Sequence, residues 1–542
     1  MAYVITQPCC NDASCVPVCP VNCIHPTPDE PGFLRAEMLY IDPATCIDCG
    51  ACVDECPVDA ILSEDELEDP ELPYLSINAA YYEQNPVTDP TPKHRQGTPR
   101  ADRSGLKVAI VGSGPAACYA AAELMANQGV EVNMFERLPT PFGLIRSGVA
   151  PDHNRTKAVT DTFRPLWTKP GMNLHLSVEI GTDLVHQDLL DHHHAVIYAS
   201  GASADRRLQI PGEDLPGSHS ATEFIAWYNG HPDFADRTFD LSGQRAVVIG
   251  NGNVALDVAR ILVSDIDTLA ATDIADHALE TLRRSNIREV VVIGRRGPGQ
   301  SAFTSSELVA LSEHSDADIG VENTGDMTHS GELDASVRIK TDLIRRISEA
   351  SSPNASKRVT LRYYAAPIEI IGSSFATGVR LIDTAGGEGR AESETLEAGL
   401  LLRSIGYCGQ SLPNLPFDEQ RGTIPNDRGR VVDSSSSYAV GGTYVTGWIK
   451  RGPSGGIGTN KFCAQETVTQ LLEDFDAGLL INPPTDSDAL AKLLLSRCPE
   501  AIDYAGWMRI DKAEQAAGSK QRRPRVKFVE YSEMIAVAHG TL

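Results

Sequence analysis

From residue 105 onward, short apolar runs alternate with longer stretches of helical composition. VAIVG at 108–112, AVVIG at 246–250 and EVVVIG at 289–294 are β-branched runs that end in glycine, and they predict strands. AACYAAAELMANQG at 116–129 predicts a helix, and the repeated alternation predicts layers of parallel α/β structure. AVIYAS at 195–200 reads as a further strand, with His192, His193 and His194 forming a polar loop before it, because consecutive histidines on an extended chain cannot all face one ion. Residues 86–104, rich in Pro, Thr and charge with no apolar period, read as a flexible linker within a segment assigned to 73–104. The last 59 residues, 484–542, read as helical segments, and their basic stretch KQRRPRVK as a solvated face.

The 542 residues exceed one ordinary core, so several domains are expected. A net charge of -26 excludes a protein built to bind nucleic-acid phosphates and leaves room for cationic partners. No apolar run approaches a membrane span, and MAYVITQPCC lacks the layout of a signal peptide, so a cytoplasmic location is expected. Residues 1–72 hold 15 acidic side chains against a single Arg or Lys, Arg35, which marks a separate electrostatic unit.

Nine of the thirteen cysteines lie in the first 56 residues. In a reducing compartment, metal or cluster ligation is the better reading than disulfides, and the scattered Cys118, Cys408, Cys463 and Cys498 read as small buried hydrophobes. CIDCGACVDECP supplies Cys46, Cys49, Cys52, Cys56 and Pro57 in the complete C-x₂-C-x₂-C-x₃-C-P spacing, in which the fourth Cys ligates the other of two clusters. One [4Fe-4S] cluster is therefore expected on Cys46, Cys49, Cys52 and Cys19. The earlier run, CCNDASCVPVCP, places Cys9, Cys15 and Cys19 in register but puts Asp12 where the second Cys belongs. A second cluster on Cys9, Cys15 and Cys56 is either [3Fe-4S] or [4Fe-4S] with Asp12 as its fourth ligand, and Cys10 and Cys23 stand near enough in sequence to substitute. A structural zinc site fits less well, because two interlocked ligand sets are on offer.

KVAIVGSGPAACYAAAELMANQGVEVNMFER carries strand, glycine turn, helix and a second strand that ends in an acid. Gly112 permits the turn, Gly114 lets backbone approach a pyrophosphate, and Glu136 stands where a ribose 2′-hydroxyl would be held. A second loop, Gly250-Asn251-Gly252-Asn253-Val254, is followed by a strand that ends instead in Arg295 and Arg296. Paired guanidinium groups complement a 2′-phosphate, so NADP(H) is expected at this loop in place of NAD(H).

Four phrases together, ERLPTPFGLIRSGVAPDH, VVIGNGNVALDVAR, GRRGPGQSAFTSSEL and GWIKRGPSGGIGTNK, resemble adrenodoxin reductase and its bacterial relatives across residues 105–542. The first 60 residues resemble a bacterial two-cluster ferredoxin, so the whole chain looks like a fused ferredoxin/ferredoxin–NADP reductase of the mycobacterial type. The resemblance implies an α+β ferredoxin-like head over 1–72 followed by α/β structure with two Rossmann-like units. These are FAD-binding over 105–204 and 413–542 and NADP-binding over 205–412. It implies FAD against Gly112, Gly114, Ala116, Glu136, Leu144, Ile180, Trp448, Gly455, Gly456 and Ile457. It implies NADP(H) against Asn251, Gly252, Asn253, Val254, Arg295, Arg296, Glu307 and Gly455, with His153 and Glu307 as catalytic candidates. Two positions depart from the family's habit, Gly456 where Val is frequent and Asn154 where Pro is common, and neither removes a ligand.

The implied activity is FAD-mediated exchange between the hydride of NADPH and one-electron iron–sulfur acceptors, with the head as internal carrier. A separate ferredoxin or a cytochrome P450 system is the onward acceptor to be expected. A linker of 19 residues would span about 24 Å, so the head is expected to reach the flavin as a tethered module. An electron-input subunit like that of glutamate synthase is the rival reading, disfavoured by the Arg295-Arg296 and GWIKRGP phrases.

Overall fold

The computed structural model describes residues 2–541 apart from 90, 93–101, 314–316, 326–333, 352–354, 386–392, 434–435, 437 and 486–487. Much of the expected linker, 93–101, therefore lies outside the described residues.

Two parallel sheets organise the chain after residue 105. In the first, Lys107–Val111 is central, flanked on one side by Glu131–Glu136 and Met172–Leu176 and on the other by Ala195–Tyr198 and Ala439–Val445. A short antiparallel edge, Arg430–Val432 and Asn426–Asp427, closes it. The apolar runs are buried on both faces, as their unbroken hydrophobicity requires. The second sheet runs Ser218–Ser220, Leu400–Arg403, Arg245–Ile249, Glu289–Ile293, Arg358–Arg362, Asp318–Glu322, all parallel. A three-stranded antiparallel sheet, Ala365–Gly372, Ala376–Asp383 and Ser393–Glu397, is attached to it. The chain passes between the two main sheets twice, and the crossing segments Ala204–Asp205 and Tyr407–Cys408 pair with each other.

The head consists of two antiparallel strand pairs, Tyr3–Ile5 with Ile61–Ser63 and Ile24–His25 with Tyr40–Ile41, and a helix, Pro73–Gln84. That helix corrects the assignment of 73–84 to linker. Buried Asn78 accepts from the backbone N–H of Ile5 at 3.3 Å and of Ile41 at 2.9 Å and donates to Ile5 O, so the helix clips the two strand pairs together. Tyr82 adds O–H donation to Tyr40 O at 2.6 Å. No apolar period announced this helix, because its inward contacts are made by Asn and Tyr as much as by aliphatic groups.

The head is seated directly on the reductase portion. Its buried side chains are continuous with the core that packs the second sheet, and Phe33 meets Phe462 edge-on at 4.9 Å. Four acids of the head side pair with cations beyond residue 105: Asp12 with Lys461, Glu37 with Lys340, Glu71 with Arg155 and Glu83 with Arg338. The Glu37 and Asp12 pairs are largely enclosed, so water screens them least; the other two are half open and contribute little. The head is thus docked through the acid–cation pairing that its charge predicts, and does not rely on the tether alone.

Two further expectations are corrected. His192 ends the helix His186–His192, and His193 and His194 are buried. His193 hydrogen bonds with Leu189 O and Asn133, so ring hydrogen bonding to the sheet, invisible in sequence, replaces solvent. The basic stretch 520–527 is not a solvated face either: Arg523 and Lys527 are buried, the first on Asp276 and Ile274 O, the second on Asp273 and Asn229. Among the scattered cysteines Cys118 and Cys498 are buried, whereas Cys408 and Cys463 are partly exposed.

Candidate functional site: a shared cavity under the head

Both glycine loops leave the C-terminal ends of central strands, where a parallel sheet opens a crevice. Gly112 sits at φ 103°, and a Cβ there would come within 2.6 Å of Ala199 O. Gly114 has an ordinary φ, and a Cβ there would meet nothing within 4 Å. Its hydrogen faces open space, which is what close backbone approach by a pyrophosphate needs. Gly250 at φ 120° and Gly252 repeat the arrangement before the helix Asn253–Val263.

A single cavity of about 1940 Å³ joins the two loops. That is about twice the upper end for a drug-sized ligand site, and it suits two dinucleotides. The FAD-side residues predicted from sequence, from Gly112 through Ile180 to Ile457, all line it, as do all those predicted for NADP(H). Glu136 closes its strand with both oxygens engaged: Oε2 accepts from Ser113 N at 3.1 Å and Ser113 Oγ at 2.7 Å, and Oε1 from Leu138 N at 3.1 Å. A carboxylate accepts about four hydrogen bonds, so one place remains for a hydroxyl. Arg295 and Arg296 are exposed at the wall and form no ion pair among the described residues, leaving two uncompensated positive charges facing the cavity. Trp448 is held by Nε1–H donation to Ser454 O and packs against Tyr407 at 5.5 Å.

His153 and Glu307 are brought together, with Nε2 and Oε2 at 3.8 Å. Between them lies Arg260, 1 % exposed, which sequence reasoning quoted within a motif without giving it a role. It grips Asp152 through two bonds of 2.7 and 3.0 Å and donates to His153 Nε2 and Asp257 Oδ1, each at 2.8 Å. Arg260 Nη2 at Nε2 and the Gln7 side-chain amide at Nδ1 both present donors to the His153 ring. Burial raises the Asp152 carboxyl, but the charge and hydrogen bonds of Arg260 outweigh it and hold the group below the usual range. Glu307 is pushed up, by burial first and by the Asp257 charge next. Its Oε2 and the Arg260 Nη1 are buried without a hydrogen-bond partner, at 3.6 Å from each other. Asp257, His153 and Glu307 offer ligand atoms within 4.8 Å of one another, but Arg260 already supplies the positive charge there, so the trio makes no metal site.

The head roofs this cavity. Gln7, Cys9, Cys10 and Asn11 line it, together with Leu34 to Glu37. Gln7 Nε2 stands 3.4 Å from both His153 Nδ1 and Glu307 Oε1, and Glu37 accepts from Ser305 N at 2.7 Å. Sequence reasoning named Cys9 and Cys10 only for a cluster and missed Gln7 and Glu37, which no motif could have named, since their contacts are made across more than a hundred residues of chain.

The cysteines fall into two neighbourhoods. Cys15 lies in electrostatic reach of Cys9, Asp12 and Cys56 and then, less strongly, of Cys52, which itself lies in reach of Cys46, Cys19 and Cys49. The fourth Cys of each run thus sits with the other run. Cys23 Sγ is 3.4 Å from Cys19 Sγ, inside the second neighbourhood. Burial pushes the Cys9 and Cys52 thiols up to about 12, so metal binding there would release protons. These clustered, enclosed thiols suit soft iron–sulfur ligation, and the Gly114 cradle suits a dinucleotide.

Comparison with known proteins agrees with this geometry. Residues 106–296 match the pyridine nucleotide-disulphide oxidoreductase family, and residues 39–62 the 4Fe-4S binding domain. The chain is similar to a probable ferredoxin/ferredoxin–NADP reductase of Mycobacterium leprae, 51% identical over 100% of this chain and 98% of the relative. A protein of the same description from Mycobacterium tuberculosis H37Rv is 52% identical over 99% of this chain and 95% of the relative. Among solved structures, Mycobacterium tuberculosis FprA in complex with NADPH superposes with a TM-score of 0.74 at 43% identity, covering 80% of this chain and 100% of FprA. No helix among the described residues is long and apolar enough to cross a membrane. With two parallel sheets around one cavity and a cysteine-rich head over it, the chain belongs to the ferredoxin/ferredoxin–NADP reductase family.

Proposed function

We propose that the one cavity holds FAD on the Gly112–Gly114 loop and NADP(H) on the Gly250–Gly252 loop, and that the chain moves electrons between NADPH and one-electron acceptors through its own head. The observation that carries this reading is the continuity of the cavity, which touches both glycine loops and the Cys9–Asn11 segment. Bound FAD would accept a hydride and release electrons singly, the conversion an iron–sulfur acceptor requires.

The chain's own residues do the rest. Glu136 holds the FAD ribose, and Arg295 and Arg296 select a 2′-phosphate. Trp448 and the Gly455–Ile457 turn wall the flavin side. His153, held by Arg260, and Glu307, whose carboxyl is raised, flank the place where hydride would pass and can hold a proton there. The head shields the site from water and brings Cys9, Cys15, Cys56 and Asp12 nearest the flavin side, with Cys19, Cys46, Cys49 and Cys52 beyond. We assign one [4Fe-4S] cluster to the latter set and a second cluster, three-iron or four-iron, to the thiolates of Cys9, Cys15 and Cys56. The FAD unit comprises 105–204 and 413–542 and the NADP unit 205–412, in keeping with the two sheets, and the head extends through residue 84. A ferredoxin or cytochrome P450 system would be served from the head, in a reducing cytoplasm, which suits thirteen cysteines none of which is in a disulfide.

The test is a count of FAD, iron and sulfide per purified chain, paired with NADPH-driven cytochrome c reduction by wild type and Cys46→Ser. The reading expects bound FAD, two clusters' worth of iron, and a loss of cytochrome c reduction in the variant while ferricyanide reduction persists. A flavin-free protein, or cytochrome c reduction indifferent to the head cysteines, would overturn it.

A further inference from the structure

We infer that Asp12 is the latch by which the head holds the reductase portion, with Lys461 as its catch, and that it is a positioning residue instead of an iron ligand. The carboxylate is 12 % exposed and has both oxygens engaged. Oδ1 accepts from Ser14 N at 3.2 Å, and Oδ2 accepts from Ser14 Oγ and from Lys461 Nζ at 3.3 Å. Lys461 Nζ also donates to the Asp12 carbonyl at 3.0 Å and to Ser14 Oγ at 2.9 Å, so its three protons are spent on this one loop.

The backbone around the pair is fitted to the same end. Gly458 N donates to Cys10 O at 2.7 Å, and a Cβ on Gly458 would overlap the Asn11–Asp12 peptide. Gly458 and Lys461 both belong to the start of the helix Thr459–Asp476 that follows the Gly455–Ile457 turn. One side chain of the head therefore registers the first cysteine run against the flavin-side turn. An iron atom bound at Oδ2 would have to displace an ammonium in an enclosed site, and one bound at Oδ1 would share the carboxylate with that ammonium and weaken the pair. Lys461 in this way decides which task the carboxylate performs.

The inference rests on the cluster assignment above only in its spectroscopic arm; its exchange arm reads the latch alone. Full-length Asp12→Asn, Lys461→Met and the double variant are compared with wild type by hydrogen exchange of residues 9–15 and by EPR of the oxidised protein before and after incubation with ferrous iron and sulfide. Expected are an exchange rate about tenfold higher in each single variant, no further rise in the double, and an unchanged cluster signal in Asp12→Asn. Lys461→Met, with Asp12 freed, should take up a fourth iron more readily than wild type. Normal exchange in both single variants, or loss of the oxidised cluster signal in Asp12→Asn with exchange unchanged, would overturn the inference. Should Asp12→Asn fail to fold, Lys461→Met alone decides: wild-type exchange and iron uptake would refute the latch.

Discussion

Gly458→Ala is the sharpest probe of head docking. Gly458 has φ -72° and ψ -26°, a helical conformation open to any residue, so its own backbone gives no reason for glycine. What demands glycine is the head: an added Cβ would stand 2.5 Å from Asp12 Cα and closer still to Asp12 N and Asn11 C. An ordinary contact is 3.4–4 Å, so the loop must retreat by about 1 Å, and the obstacle is backbone that cannot swing aside. Overpacking of this kind costs about 1–3 kcal/mol, which weakens docking by about 5- to 150-fold. Hydrogen exchange of residues 9–15 should accelerate by that factor. NADPH-driven ferricyanide reduction, read at the flavin, should hold while head-dependent cytochrome c reduction falls. Unchanged exchange and unchanged cytochrome c reduction would refute the docked geometry.

Three other outcomes follow from the same coordinates. Gly114→Val should leave the melting temperature of flavin-free protein as it is, because its side chain starts into open space, yet cut FAD retention sharply, read as the flavin-to-protein absorbance ratio. Arg295→Leu with Arg296→Leu should lower kcat/KM for NADPH by about 100-fold or more, two charge-assisted contacts of roughly 1.5 kcal/mol or more each being lost, with NADH little affected; equal losses for both would count against phosphate selection. Burial holds His175 and His193 down to about 4; Asn133 accepts from His175 Nε2 and donates to His193 Nε2, and the second bond needs a neutral His193 ring. Their folded values lie below the unfolded one, so stability is complete above about pH 6.5 and is lost as pH falls toward 4, by as much as about 3 kcal/mol per histidine. His193→Gln should flatten that acid limb in urea titrations between those values.

The parallel sheets were legible because buried strands must be apolar throughout, and the glycine loops because only Gly tolerates the φ of positions 112 and 250. The cysteine runs were legible because cluster geometry constrains spacing. What escaped were interactions between distant segments. Pro73–Gln84 hides its function in Asn78, a polar residue satisfied by strands at 5 and 41. The KQRRPRVK stretch looks solvated until Asp273, Asp276, Asp511 and Glu514 are seen around it. Arg260 looked like the end of a helix, yet it holds the His153 ring from more than a hundred residues away. Asp12 was weighed as an iron ligand because its position in the run invites it; its engagement by Lys461 exists only in three dimensions.

The central claim, that hydride entering at the NADP side leaves as single electrons through the head, is tested most directly by anaerobic titration of the full chain with NADPH, following flavin absorbance and the EPR of the head's clusters on the same sample. The account predicts that NADPH reduces at least one cluster, and that Arg295→Leu/Arg296→Leu slows this without changing reduction by dithionite. Flavin that bleaches fully while every cluster stays oxidised, though dithionite can reduce it, would contradict the account.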